Sequence, residues 1–379
     1  MKAKKLLSYV LCVVLCALAF TGCGSQKTQS ASASKEVVSS AKTTSSAVSS
    51  ASKSTQASEK TQTVTDSIGR KVEIPSPVTS CVVANAYNTE IINAIGALNC
   101  VVGVDYNIYQ DKDSWKNKFT EDMVIGKSQK DLNYEKIIAL KPQVLILTGN
   151  GTYEEAQKQL EPFGIKVVVC DAYYTNEFAQ NCALLGQVFG KEAEAKELSD
   201  YFTEKLDYIK EQLKDVPKKT LYFEYRTEGN TTIPGNFFYD MVEDSGADNI
   251  FRDAKNVKID PEAVVEKNPQ YIVKVSAPDV YSSYYPPTSD DMKKIKDDIV
   301  SRPGWDEIDA VKNDNILLLS HYVHGGASKL VGTMYIAKFL YPDKLPDLHP
   351  EQVFKDWLVK YQKLDYIEGH TSPAYTFED

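Results

Sequence analysis

Apolar and polar positions along this chain alternate in a way that predicts buried strands between amphipathic helices. After residue 60, short apolar runs are separated by longer stretches with helical spacing. The predicted strands cover residues 81–85, 100–105, 144–148, 166–171, 220–225, 271–276 and 315–320. Short strands that are apolar throughout and separated by helices are typical of a parallel sheet covered on both faces. The pattern therefore predicts an α/β fold.

The helical spacings predict eight shorter helices and one long one. The shorter helices are expected at residues 89–97, 133–140, 154–162, 237–244, 262–267, 290–300, 328–340 and 350–361, after an opening hairpin at 63–77. The long helix covers 192–214, where an apolar residue recurs every three or four positions from Ala195 to Leu213. Gly190 precedes this helix and Pro217 ends it. At about 35 Å it is long enough to connect two lobes.

The N-terminal 22 residues are typical of a sorting signal. Lysines at positions 2, 4 and 5 precede an apolar run over 6–20, which is too short for a comfortable membrane span. Thr21-Gly22-Cys23 then places small residues before a cysteine, as a lipoprotein signal peptidase requires. We expect Cys23 to be the lipidated N-terminus of the mature protein. The alternative is an ordinary secretory signal followed by an incidental cysteine.

Residues 23–60 consist mainly of Ser, Ala, Thr, Lys and Gln and predict a disordered tether. With the anchor, this tether predicts a protein on the extracytoplasmic face of the cell membrane, and its length favours a Gram-positive type of cell. The remaining chain is too long for one usual core and predicts two units. We expect an N-terminal lobe over 61–174, an interlobe helical segment over 175–216 and a C-terminal lobe over 217–379.

Charge and cysteine spacing narrow the function. The formal net charge is −9 and no basic patch stands out, which argues against nucleic acid as a partner. Four cysteines follow the anchor, and their spacing fits no zinc site. Buried free thiols are favoured for them, although disulfide pairing stays open; the four are Cys81, Cys100, Cys170 and Cys182.

One internal repeat connects the two predicted lobes. NYEKIIALKPQ over 133–143 is echoed by DPEAVVEKNPQ over 260–270, and each copy runs into an apolar strand. An Asn or Asp cap, a first-turn glutamate and a proline recur at the same spacing. The copies lie on opposite sides of the long helix. The two lobes are therefore expected to be structural duplicates.

Six stretches together resemble the iron-siderophore/haem/cobalamin class of ABC-importer substrate-binding proteins. They are TVTDSIGRKVEIP, INAIGALNCVVGVD, NYEKIIALKPQVLIL, DPEAVVEKNPQYIV, RPGWDEIDAVKNDNILLL and YIAKFLYP, spread over residues 63–342. The resemblance implies two Rossmann-like lobes joined by one rigid helix, with a ligand cleft between them. It also implies a partner, a permease dimer with cytoplasmic ATPase subunits. Glu135 and Glu262 would contact the permease dimer. The alternative is that both glutamates only stabilise helix dipoles.

In α/β sheets, ligands lie beyond the carboxyl ends of the strands. The candidate ligand-binding residues selected by this rule are Asn85, Tyr87, Tyr106, Tyr173, Arg226, His321 and His324. The resemblance implies an iron-siderophore or related metal chelate as ligand, with haem or cobalamin as alternatives, and no cofactor of the protein itself. Family members often carry an arginine after the last strand, where this chain offers Lys329. That departure leaves the identity of the chelate open.

The motifs of common enzymes are missing from the sequence. There is no G-x-x-x-x-G-K-[ST], no G-x-S-x-G and no H-E-x-x-H, so ATP hydrolysis would belong to another subunit. Imidazole is a good metal ligand, and a secreted metal-dependent hydrolase that uses His321 and His324 is therefore the competing hypothesis. A binding protein and not an enzyme is the favoured interpretation.

Overall fold

The structure, a computed structural model, describes residues 60–276, 284–324 and 327–375, without the side chains of residues 324 and 328. The predicted signal, Cys23 and all but the last residue of the predicted tether lie outside this part of the chain. In the described part, no helix is both long and apolar enough to span a membrane.

The first lobe is built on a parallel sheet that follows a two-stranded hairpin. The strands are β1 (Thr61–Thr65), β2 (Lys71–Pro75), β3 (Cys81–Val83), β4 (Val101–Val104), β5 (Gly126–Ser128), β6 (Asp131–Leu132), β7 (Val144–Leu147) and β8 (Lys166–Val169). β1 and β2 form the antiparallel hairpin, and β5 pairs with β6. The main sheet has the order β4-β3-β7-β8, and all of its strands are parallel. Their carboxyl ends therefore meet at one edge.

Five helices surround this sheet: α1 (Ala86–Ala94), α2 (Tyr106–Gln110), α3 (Tyr134–Leu140), α4 (Tyr153–Leu160) and α5 (Phe178–Phe189). β3 and β7 are buried on both faces, as the strands of a covered parallel sheet should be. The short helices α1 and α2 begin directly after β3 and β4, so their first turns lie at the carboxyl edge of the sheet.

The helix α6 (Glu192–Leu213) joins the two lobes, as the spacing of its apolar residues predicts. It is about 33 Å long at 1.5 Å per residue. It packs against α5 of the first lobe and against a helix of the second lobe. Close approach to α5 is possible because Gly186 has no side chain, since a Cβ there would lie 2.6 Å from the Ala195 Cβ.

The described residues of the second lobe form a five-stranded sheet and six α-helices. Its strands are β9 (Lys219–Tyr225), β10 (Ala247–Asn249), β11 (Tyr271–Val275), β12 (Ile316–Leu319) and β13 (Thr371–Ser372), in the order β10-β9-β11-β12-β13. All neighbours are parallel except β13, which is antiparallel to β12. The helices are α7 (Tyr239–Glu243), α8 (Pro261–Lys267), α9 (Ser289–Val300), α10 (Asp309–Lys312), α11 (Ser328–Leu340) and α12 (Pro350–Asp356), which a π-helical turn at Trp357–Tyr361 extends. The expected α/β architecture of two lobes joined by one long helix is confirmed.

The repeated sequence motif has the same local structure in both lobes. Each copy is a seven-residue helix, α3 or α8, capped by Asn133 or Asp260. Each helix ends at a residue in the left-handed conformation. Each following glutamine accepts a backbone N–H near the start of a parallel strand: Gln143 from Thr79, just before β3, at 2.7 Å, and Gln270 from Thr220, in β9, at 3.1 Å.

Several elements differ from the sequence-based predictions. α1 begins at Ala86 and not at residue 89, because the Asn85 side chain caps it there. The whole of α5 was missed as a separate helix, since eight of its 12 residues are buried and two of the other four are alanines, so few polar residues mark its exposed face.

The four cysteines of the described chain are free thiols, and three of them are buried.

Candidate functional site

A cavity of about 520 Å³ lies between the lobes at the carboxyl ends of their strands. The first lobe contributes the segments that follow β3 and β4, and the second lobe contributes residues that follow β9 and β12. The cavity lining includes Asn85, Tyr87, Glu90, Asp105, Asp111, Trp115, Arg226, His321, Tyr322 and Gln362. Because two sheets present strand ends to one space, the site is shared between the lobes.

Asn85 lines the cavity from the first lobe and caps the helix α1. Its Oδ1 accepts the backbone N–H groups of Tyr87 at 2.9 Å and Asn88 at 3.2 Å, which starts α1 at the edge of the cavity. The predicted residue Asn85 thus lines the cavity, and its carbonyl oxygen serves as a helix cap.

Aromatic rings from both lobes meet beside the cavity. The Tyr87 ring, which lines it, stacks on Phe237 of the second lobe with ring centroids 5.5 Å apart. Tyr173 contacts the same phenylalanine at 5.8 Å. Tyr173 is buried in this cluster and is not part of the cavity lining. Tyr173 therefore packs between the lobes, whereas its position after a strand end predicted a ligand contact.

Polar contacts hold the lobes together on the same side. Thr175 donates from its backbone N–H and its hydroxyl to Asp240 of α7 at 3.0 and 2.9 Å. The Lys329 ammonium, fully buried, lies 3.0 Å from the same carboxylate. Lys329 is therefore paired inside the second lobe. It does not line the cavity in place of the arginine that family members often carry.

Gln362 forms a further contact across the lobes. Its side-chain nitrogen donates to the backbone oxygen of Glu90 at 3.0 Å, and Asn93 donates to its backbone oxygen at 3.1 Å. The residue follows the π-helical turn at the end of α12 and reaches α1 of the first lobe. Gln362 also lines the cavity, so this interlobe contact is part of the cavity wall.

Three carboxyl groups face the cavity from the first lobe. Burial, and then the charge of Asp111, raises the pKa of Glu90 well above its usual value, against the effect of the Ala327 N–H. Burial raises the pKa of Asp105 to about 6, although backbone N–H groups of Ile108 and Asn107 oppose the shift. Burial also raises the pKa of Asp111. Desolvation dominates in each case because it disfavours the charged form.

Arg226 and His321 face the cavity from the second lobe. Arg226 follows β9 in a left-handed conformation with φ of 58°, and its side chain is exposed at the cavity mouth. Burial, and then the charge of Arg226, lowers the pKa of His321 to about 4. The imidazole is therefore neutral near pH 7. Two predicted second-lobe residues thus lie at the cavity, and for the third, His324, the side chain lies outside the described residues.

Tyr106 lies elsewhere. It is 47% exposed and lines an open depression on the first lobe, together with Glu135 and Tyr134. The strand-end rule failed for Tyr106 because it occupies the first position of α2, which turns its side chain outward. Its neighbour Asp105, the helix cap, enters the cavity instead.

Several cavity residues were not predicted from the sequence. Asp105 ends a predicted strand and was within reach of the same rule. Glu90 lies one turn into α1, and Trp115 follows a loop after α2, so neither is adjacent to a strand end. Gln362 comes from the far end of the chain. No local signal identifies these three positions.

The two glutamates of the repeated motif lie in equivalent places. Glu135 and Glu262 are both exposed in the first turn of their helices, α3 and α8. Each also lines an open depression of its own lobe. Both carboxylates are thus accessible to a partner.

Residues 60–276, 284–324 and 327–375 contain no group of three or more His, Cys, Asp or Glu side chains arranged to hold a metal ion.

Known proteins resemble this chain over most of its length. The sequence model for the periplasmic binding protein family matches residues 81–322, more than half of the 379 residues. YvrC of Bacillus subtilis, an uncharacterised ABC transporter substrate-binding lipoprotein, is 28% identical over 74% of this chain and 86% of its own length. The molybdate-binding protein MolA of Haemophilus influenzae is 24% identical over 80% of this chain and 91% of its own.

A solved structure gives the same fold. The TroA-like periplasmic binding protein FepB from Veillonella parvula superposes with a TM-score of 0.69 at 21% identity, over 82% of this chain and 98% of its own. At this identity the likeness concerns the fold alone.

Proposed function

Since the chain belongs to the periplasmic binding protein family, we propose that it is the solute-binding component of an ABC importer and that it captures a metal chelate outside the cell membrane. The chelate is an iron-siderophore or a related complex, with haem and cobalamin as alternatives. The metal arrives as part of the transported ligand, and the protein needs no cofactor.

The position of the cavity carries this proposal. Both lobes contribute strand ends and side chains to one space of about 520 Å³. That volume lies within the range of about 300–1,000 Å³ that is common for small-molecule sites. Tyr87, Trp115 and Tyr322 supply aromatic surface, and carboxyl and amide groups supply polar contacts. A cavity with amphipathic walls suits a chelate with an organic shell.

Trp115 makes binding measurable. It lies in the cavity wall, whereas Trp305 and Trp357 are buried elsewhere. Titration of the purified protein with ferric hydroxamates, haem and cyanocobalamin should give saturable, stoichiometric quenching with at least one of them. Trp115→Phe should lose most of the signal while calorimetry still detects binding. Absence of binding to every chelate tested would refute the proposal.

Delivery to a permease is the second part of the proposal. Exposed Glu135 and Glu262, one on each lobe, would pair with arginines of a permease dimer that is driven by cytoplasmic ATPase subunits. The double variant Glu135→Lys with Glu262→Lys should abolish chelate uptake by cells and leave chelate affinity within a few-fold. The exposed pair Glu155→Lys with Glu211→Lys is the matched control. Full transport by the first double variant would exclude the docking role.

Anchoring through Cys23 belongs to the same proposal. A diacylated cysteine would keep the protein on the extracytoplasmic face of the membrane, since two acyl chains anchor far better than one. Cys23→Ser should release the protein from the membrane fraction without altering chelate affinity. Retention of this variant in the membrane fraction would exclude the lipid anchor.

The hydrolase alternative has weaker support. The family is one of binding proteins rather than enzymes. Chelate recovered unchanged after long incubation with the protein supports capture, and a cleaved product would support the hydrolase.

A further inference from the structure

Three carboxyl groups of the cleft are at least partly buried with no cation of the described chain beside them. Asp105 is only 4% exposed, and Glu90 and Asp111 are half-buried. Among the described residues, none of the three forms an ion pair with a lysine or arginine. Glu90 Oε2 is buried in the cavity wall, and nothing in the described chain donates a hydrogen bond to it.

Two buried acids away from the cleft have cationic partners. Glu224 in the second lobe is 1% exposed, contacts the Lys274 ammonium at 2.5 Å and receives two Arg302 hydrogen bonds at 3.0 Å. Asp66 in the first lobe is held by Arg70 at 2.7 Å. The fold supplies these two acids with cations, whereas the three carboxyl groups of the cavity form no ion pair with any described residue.

The cations of the cavity are at its mouth. Arg226 and Lys130 line it but are both exposed, so solvent screens their charges. His321 lies deeper and is neutral near pH 7. The buried interior thus offers carboxyl oxygens, which accept hydrogen bonds when ionised and repel negative charge.

We infer that the ligand of this cleft is a metal chelate of zero or positive net charge that presents N–H or O–H donors to Glu90, Asp105 and Asp111. This inference rests on the proposed function and names the ligand class of the same site. A donor-bearing or cationic chelate supplies the partner that these acids lack. A polyanionic chelate would bring like charges together in a poorly solvated space, which costs several kcal/mol in protein interfaces.

The raised pKa values agree with this inference. Burial without a nearby cation raises the pKa of Glu90, Asp105 and Asp111, so each group resists ionisation in the empty cleft. A bound cation would favour their charged forms and lower these pKa values, whereas a bound anion would raise them further.

A charge series tests the inference by calorimetry on the purified full chain. The probes are ferrioxamine B, a cationic iron trihydroxamate; ferrichrome, its neutral counterpart; cyanocobalamin, a neutral corrinoid; ferric enterobactin, a trianionic iron catecholate; and molybdate. We expect binding of the cationic probe or of at least one neutral probe. Both anions should bind at least about 100-fold more weakly, as like-charge repulsion of this size implies.

A pair of variants assigns the effect to the cavity. Glu90→Gln with Asp111→Asn keeps side-chain shape and removes two charges, and should weaken a cationic probe at least about ten-fold. The affinity for a neutral probe should change less. The difference in affinity between the neutral probes and the anions should become smaller. Asp113→Asn, two residues from Asp111 and exposed, is the control and should change affinity less than two-fold.

The outcomes separate this inference from the proposed function. Tighter binding of ferric enterobactin than of every neutral or cationic probe overturns the inference and leaves chelate capture standing. Binding of molybdate alone overturns both, because molybdate is an oxyanion and not a chelate. Failure of all five probes overturns both. The series in the unaltered protein decides the inference even if the double variant does not fold.

Discussion

Replacement of Asp105 by asparagine should stabilise the protein near neutral pH. Asp105 is 4% exposed, accepts the Ile108 N–H at 3.1 Å, and has a pKa raised to about 6 by burial. Relative to an ordinary aspartate near 3.9, the difference of about 2 pKa units corresponds to about 3 kcal/mol. Asparagine can cap α2 equally well but carries no charge. The variant should therefore gain up to about 3 kcal/mol in free energy of unfolding at neutral pH.

The pH dependence follows from the sign of the shift. A carboxyl group with a raised pKa binds its proton more tightly in the folded state than in the unfolded state. The stability that this tighter proton binding contributes is fully present below about pH 4, and it is lost as the pH rises through about 6. The gain of Asp105→Asn should therefore be close to zero at about pH 4 and reach its full size above about pH 6.

Urea denaturation followed by tryptophan fluorescence at several pH values measures this gain. Asp131→Asn removes an exposed carboxylate of the same lobe and serves as the control for the loss of one charge. A variant less stable than the parent at neutral pH would refute the reasoning, as would a gain of equal size at every pH. A confirmed gain would identify Asp105 as a group retained at a cost in stability, as binding-site residues often are.

Three further predictions concern interactions that position the cleft. Glu224→Gln should lower the free energy of unfolding by about 3–5 kcal/mol, because Arg302 keeps a buried charge without its partner; urea denaturation measures it, and a change below about 1 kcal/mol would contradict it. Phe202→Ala should lower the free energy of unfolding by about 3–5 kcal/mol, because the fully buried ring on α6 would leave a cavity. An unchanged denaturation midpoint would exclude this packing role. Lys329→Met should cost about 3 kcal/mol by leaving Asp240 without its cation; equal stability of variant and parent would show that the Thr175 contacts suffice.

Local patterns in the sequence predict much of the fold. Strands such as β7 and β12 are apolar at every position, because both faces of a parallel sheet are covered. The stripe of α6 follows from a helical period of 3.6 residues, and its predicted start at residue 192 agrees with the structure. α5 was not predicted because eight of its 12 residues are buried and alanines occupy half of the remaining positions, so its exposed face carries few polar residues.

The candidate site was only partly predictable. Asn85, Tyr87, Arg226 and His321 follow strand ends, and the structure brings all four to one cavity. Tyr173 follows a strand end as well but packs between the lobes. The strand-end rule places the backbone correctly, but the direction of each side chain depends on how the next helix begins.

The sequence by itself determined the two α/β lobes, their long connecting helix and the repeated glutamate motif, because hydrophobic period and capping residues are properties of neighbouring positions. Only the tertiary structure decided which acids stay unpaired. Asp105 and Glu224 are both buried carboxylates, and only Glu224 meets cations, supplied by residues 50 and 78 positions further along the chain. Ion pairing and desolvation depend on distance in space, and folding alone brings such distant residues together.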